Sequence, residues 1–291
     1  MSFLIPPTTG LTADTIGYTK AFERNLLYGS WLQDGVTFTS KYKIGPAGQI
    51  YVHKLKSAGE TEPNLPGRDF TFTNASDELI HISLNNSFQE GDKAYRAAIE
   101  SIGVDVQAAL IENVAAKIQG GYNQSALAAL VTEGTQTTGS ALTEANIKSE
   151  LIKARTELVK KKARGTTVLC SPDTFGLILS AAGAAFSPTI NDEMLKSGTV
   201  GRWLGLTFIE VPGLSATSAK YYNSAGTLKT ATFSGVDFVI YDYDAFSVVS
   251  NLELIQIVSG LPLFNGVIAE AEMNVGYKVT NADRVAVRKT T

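Results

Sequence analysis

The sequence predicts an α+β fold, on three observations. Period-two alternation of apolar and polar residues runs through 36–87 and returns in the last third of the chain. Apolar residues three and four apart over 89–120 predict a long amphipathic helix. A second helix, a short apolar strand, a Ser-Pro turn and a third helix follow one another over 142–182.

Residues 1–12 contain Pro6, Pro7 and Gly10 and read as an extended arm. Residues 14–29 read as a short helix interrupted by Gly17. In VTFTSKYKI, Val36, Phe38, Tyr42 and Ile44 share one strand face, with Thr37, Thr39, Lys41 and Lys43 on the other. GPAG at 45–48 is a turn, and QIYVHKLK runs back. Residues 57–69, SAGETEPNLPGRD, lack any core-facing period, so 36–87 reads as long β structure carrying a projecting loop.

From 89 to 120 the stripe is Tyr95, Ile99, Ile102, Val106, Leu110, Val114 and Ile118. Glu100, Asp105, Gln107, Glu112 and Lys117 lie opposite, Gly103 permits a bend, and Gly120-Gly121 is the expected stop. A Thr/Gly/Ser-rich connection at 132–143 leads to Thr143 as the expected N-cap of the next helix. Ile147, Leu151, Leu158 and Val159 make its apolar stripe, and Lys160, Lys161, Lys162 and Arg164 close it where the helix dipole favours cations. TTVLC is a short buried strand. Ser171 then caps a helix over 173–182 with Pro172 at its first position, and Gly183 ends it. The rest alternates strands and turns: LTFIEVP, TATFS, DFVIYDYD, SVVSNLELIQIV and AEAEMNVGYKVTNADRVAVRK.

The residue inventory excludes most chemistry. With Lys+Arg 25 against Asp+Glu 28, the chain lacks the basic surplus of a dedicated nucleic-acid binder. One cysteine, Cys170, excludes an internal disulfide, and its apolar strand predicts an inert thiol. His53 and His81 alone are too few soft ligands for a zinc site. MSFLIPPTTG has neither a basic start nor a long apolar run, and no stretch approaches the ~20 apolar residues of a membrane span. A soluble protein made in a cytoplasm is expected.

The glycines at 198, 201, 205 and 213 pose a question, because glycine beside Ser and Thr can cradle phosphate. A dinucleotide loop runs from strand to helix, whereas this segment runs from a helix-like stretch, 190–197, into a strand. Turns are expected, with Arg202 too little to make an anion site. Asp242 and Asp244 share a strand face and offer a carboxylate pair that a metal-dependent enzyme would use; the wet side of a half-buried strand is the favoured reading of them. No catalytic, cofactor-binding or metal residue is assigned. An arm, a projecting loop and a long helix bury little within one chain and make sense when packed on neighbouring copies.

In this order the elements resemble the major capsid proteins of tailed bacteriophages, with their Hong-Kong-97-like fold. The stretch LTEANIKSELIKARTELVKKKARGTTVLCSPDTFGLIL, 142–179, is similar to that family's helix, strand, Ser-Pro turn and helix. The glycine run at 198–213 is similar to its turn into an apical strand. The resemblance implies an arm at 1–35, an extended loop with flanking peripheral strands at 36–87 and a spine helix at 88–121. It further implies an apical domain at 122–250 and returning peripheral strands at 251–291. It implies hexamers and pentamers in an icosahedral shell around double-stranded DNA, bound without sequence specificity. Scaffolding, portal or decoration proteins would be separate chains, and the virion, assembled in a host bacterial cytoplasm, would be the location. Inter-subunit contact candidates are Lys54, Lys56, Glu60, Glu62 and Arg68 of the loop, with Arg202 and Trp203. Some relatives cross-link their subunits; that chemistry is not assigned to Lys54 or Lys56. Encapsulins, cellular compartments of the same fold, are the alternative.

Overall fold

The computed structural model describes residues 31–32, 38–39, 49–56, 76–95, 106–163, 167–182, 199–259 and 265–291. The expected helix at 14–29, most of the strand at 36–44 and the segment 190–197 lie outside these residues. The described elements begin with β1 (Phe38–Thr39), β2 (Gln49–Lys56), β3 (Ser76–Ser83) and β4 (Asn86–Tyr95). Helix α1 (Val106–Glu133), β5 (Thr135–Gly139), α2 (Ile147–Lys160), β6 (Thr167–Cys170) and α3 (Pro172–Ala182) follow. The remainder comprises β7 (Thr199–Trp203), β8 (Leu206–Glu210), β9 (Ser218–Tyr222), β10 (Leu228–Thr232), β11 (Val236–Tyr241), β12 (Phe246–Ser259), β13 (Gly266–Val279) and β14 (Val285–Thr290).

Two larger sheets organise the chain. A four-stranded sheet has the order β1-β12-β13-β4, and a six-stranded sheet the order β5-β14-β11-β6-β8-β7. Two ribbons accompany them, β2 with β3 and β9 with β10. The segment 251–291 therefore divides: β12 and β13 stay in the first sheet, and β14 crosses to the second.

The long helix differs from its expected span at both ends. Residues 86–95 form β4, with burial alternating along the strand. Ten consecutive residues pair with β13, from Asn86↔Val275 to Tyr95↔Gly266, and that ladder overrides the helical spacing of the side chains. Nor does the helix stop at Gly120-Gly121. A Cβ on Gly121 would come within 3.1 Å of the Phe88 ring, so glycine lets the helix and β4 approach closely. Beyond it, Ala126–Val131 is buried on every side, the mark of a helix enclosed all round.

That enclosure follows from the two cores. One joins α1 to β13, to the β9–β10 ribbon and to one face of the six-stranded sheet through Leu169, Val239 and Val287. The other lies on the opposite face of that sheet, where Val168, Phe208 and Ile240 meet Ile147, Leu151 and Ile178 of α2 and α3. Strand β6 is buried along its whole length because it lies between the two. Trp31 reaches the first core and stacks on Phe246, with ring centroids 6.4 Å apart.

Local signals hold in part. Ser171 Oγ accepts from the Thr174 N–H at 3.3 Å, capping α3 with Pro172 at its first position. Helix α2 starts later than expected, at Ile147; Thr143 instead donates its N–H to Asn146 Oδ1 at 2.8 Å in the preceding turn. Val159 is 52% exposed and outside the apolar stripe. The connection at 132–143 contains a strand, β5, which pairs in parallel with β14.

Arg288 of β14 is buried and joins four elements. It contacts Asp237 of β11, donates through Nε to Glu150 of α2 at 3.3 Å, and donates to the Ser140 carbonyl after β5. The Lys153 ammonium first, then this guanidinium, hold the Glu150 carboxyl below the usual carboxylate range against the opposing effect of burial. Glu150 therefore stabilises the fold above its unfolded pKa, and that contribution is lost as pH falls through the lower folded value. Arg288→Ala leaves Asp237 without this cation, Glu150 with Lys153 alone, and the Ser140 carbonyl without this donor. It should cost about 3–5 kcal/mol, read by denaturant unfolding at neutral pH; a loss below about 1 kcal/mol, the range of a surface pair, would show that Arg288 is not the clamp.

Candidate subunit interface

Among the described elements, the β2–β3 ribbon meets the rest of the chain through β3 and β13. Its strands pair without interruption from Gln49↔Ser83 to Lys56↔Ser76, a span of about 23 Å at ~3.3 Å per residue. Lys54 and Lys56 occupy alternate positions of β2 and pair in register with Glu78 and Ser76. Glu60, Glu62 and Arg68 lie outside the described residues.

The base of the ribbon is firmly seated. A Cβ on Gly276 would come within 2.6 Å of the Ser83 carbonyl oxygen and 2.8 Å of Ile82, so β13 needs glycine where the ribbon crosses. Ile82 packs with Val249 and Leu84 there. Asn86 then fixes the start of β4: its amide donates to the carbonyls of Tyr222 at 2.9 Å and Val275 at 3.2 Å, and its oxygen accepts from the Tyr222 N–H at 2.7 Å. Periodicity does not mark this root; the adjacent Asn85-Asn86 is its local signal in the sequence.

The remaining sites resolve differently from expectation. Arg202 and Trp203 lie on β7, at the edge of the other sheet from the ribbon's. Trp203 is buried and packs near Phe208, with ring centroids 6.4 Å apart, so its indole belongs to the chain's own core. Leu204 and Gly205 both have positive φ, 55° and 75°, and make the two-residue turn that joins β7 to β8. Gly213 lies in a turn against Gln124 and Leu127 of α1. The described part of the glycine run is thus a hairpin and a tight packing point.

Asp242 and Asp244 do not share a strand face. β11 ends at Tyr241, Asp242 is buried at the start of a 3-10 turn, and Asp244 is exposed, with Arg284 donating to it at 3.0 Å. Among the described residues no group of three or more His, Cys, Asp or Glu is placed to hold a metal ion. Cys170 is buried with its thiol directed at the Ile209 carbonyl, 3.4 Å away; burial, then the Glu210 carboxylate, push it well above its ordinary pKa. Lys160 and Lys161 pair with Glu157 and Asp283. No described helix is long and apolar enough to cross a membrane.

The whole architecture matches solved capsids. The capsid of cyanophage P-SCSP1u aligns with a TM-score of 0.63 and 12% identity, over 88% of this chain and 86% of that one. The mature capsid of bacteriophage PhiM1 aligns at 0.62 and 13%, over 91% and 88%. The chain has the Hong-Kong-97-like capsid fold. The virus-like particle of Pyrococcus furiosus shares it, at 0.60 and 8%, over 96% of this chain and all of that one. No family model matches the sequence, and no curated protein matches it either. In this fold the described ribbon meets the rest of the chain at its root on β13. Gly276→Val would push on the backbone of Ser83 and should cost about 1–3 kcal/mol, with faster proteolysis inside 49–83. An unchanged unfolding midpoint and unchanged cleavage would mean that the ribbon is not seated on β13.

Proposed function

We propose that this chain is a major capsid protein of a tailed bacteriophage, self-assembling as hexamers and pentamers into an icosahedral shell around packaged double-stranded DNA. The observation that carries the reading is the agreement of the architecture over most of both chains with solved phage capsids, at identities where only the fold is shared. The role is structural. In it, residues 1–35 are an arm and 36–87 an extended loop laid on a neighbouring subunit. The spine is α1, running from 106 to 133, rather than 88–121. The six-stranded sheet with α2 and α3 is the apical unit, and it takes in β14. The net charge of −3 supports a genome held by confinement rather than by tight contacts, and the likeness to phage capsids supports a virion location.

A second reading, a cellular compartment of the encapsulin kind, is favoured by the likeness to the Pyrococcus furiosus virus-like particle. The contents separate the two. Electron microscopy and light scattering of particles from the native source should show closed shells holding nuclease-protected DNA. Shells holding protein and no DNA would favour the compartment, and a persistent small oligomer in the presence of all its partner proteins would overturn both.

Deleting 57–68 should leave the subunit's circular dichroism and unfolding midpoint unchanged while shell yield falls at least ten-fold. Shells at the wild-type yield would contradict the role given to the loop.

A further inference from the structure

Four strands of the six-stranded sheet run the same way. β5 pairs in parallel with β14 and β6 with β8, while β11 lies antiparallel between β14 and β6. Their last residues, Gly139, Thr290, Cys170 and Glu210, therefore share one end of the sheet. A hollow of about 560 Å³ lies there, enclosed by the segment after β5, the start of α3, the turn after β8 and the turn into β11. That volume falls within the range of ligand pockets, and the carboxyl ends of codirectional strands are where layered sheets place them.

The lining decides the chemistry, and it disfavours an anion. Pro172 has no N–H, Ser171 Oγ accepts from the Thr174 N–H at 3.3 Å, and the Ser171 carbonyl accepts from the Phe175 N–H at 2.8 Å. These bonds use up most of the donors of the first turn of α3. Asp173 stands in that turn, exposed and, among the described residues, without an ion-pair partner. Asp237 is the second carboxylate of the lining. The Ser171 N–H donates to its carbonyl at 3.3 Å, which ties the two acidic segments together. Its side chain is fixed by Arg288 and by Thr290 Oγ1, which donates to its two oxygens at 3.1 and 2.9 Å. Arg288 is buried and does not line the hollow, and no described lysine or arginine does. Ser215, Thr217 and Ser234 add exposed hydroxyls, and the half-buried Leu142 and Leu177 add an apolar wall.

We propose that this cleft binds a primary ammonium group carried on an aliphatic stem. The ammonium has three donors to place, and Asp173, Asp237 and the serine and threonine hydroxyls are the acceptors. The stem lies along Leu142 and Leu177. A lysine side chain of another polypeptide and a free aliphatic amine both have this chemistry. The cleft is built within one chain, so the site stands independently of the capsid reading.

The test is a titration of the full-length chain with two probes, followed by nuclear magnetic resonance. One probe is n-butylamine; the other is a lysine flanked by alanines and blocked at both ends. Both should give saturable shifts centred on 171–177 and 234–237, weakening as salt rises. Asp173→Asn, at an exposed position, should weaken binding about ten-fold. Ser234→Lys, also exposed, places a tethered ammonium in the cleft and should weaken it at least as much, with the circular dichroism and unfolding midpoint unchanged. Tighter binding of the peptide would assign the site to a partner's lysine, and equal binding to a free amine. No saturable shift with either probe, equal binding by both variants and the wild type, or saturable binding of inorganic phosphate at the same residues would overturn the site.

Discussion

Everything else in the structure depends on how α1 is seated. The helix must cover the inner face of the four-stranded sheet and also one face of the six-stranded sheet. Gly121 lets it approach Phe88, and the small residues Ala126, Ala128 and Ala129 let the elements around it close in. The Tyr277 hydroxyl donates to the Tyr122 carbonyl at 3.2 Å, which satisfies a polar group inside that contact. At the helix end, Glu133 sits where the dipole disfavours an anion. It is offset by the Val279 N–H at 3.0 Å and the Tyr221 hydroxyl at 3.3 Å, just where the chain leaves one sheet for the other.

Once α1 has covered the inner faces, what stays open is defined by subtraction. The ribbon meets the rest of the chain at Gly276 of β13, through Ser83 and Ile82. The outer sheet face beyond Gly276 carries Glu270 and Glu272, which have no ion-pair partner among the described residues, and the exposed Leu254. In the capsid reading proposed above, such surfaces are buried between chains.

Much of this was legible in the sequence, and the parts that were not share a cause. Local signals worked where the determinant is local: Ser171-Pro172 as a helix start, TTVLC as a buried strand, the alternation of β12 and β13. They failed where a distant partner decides. Residues 89–95 read as the start of a helix but have the hydrogen-bond partners of a strand, which β13 supplies. Gly120-Gly121 reads as a stop until Phe88 explains the second glycine. The Thr-rich segment after α1 becomes strand β5 because β14, about 150 residues later, pairs with it. Of the interface candidates, Lys54 and Lys56 lie in strand β2, at positions the alternation already marked as strand. Trp203 is lost from the candidates, because an aromatic on an edge strand can turn toward its own helices, and periodicity alone does not say which face is covered.

The central claim is that the open surfaces of this subunit are closed by other copies. Hydrogen exchange compared between free subunits and assembled particles tests it most directly. The account predicts strong added protection in 49–56, 76–95 and 266–274, with little change in the buried strands at 167–170 and 236–241. Equal protection of the ribbon and of the outer sheet strands in both states would contradict it.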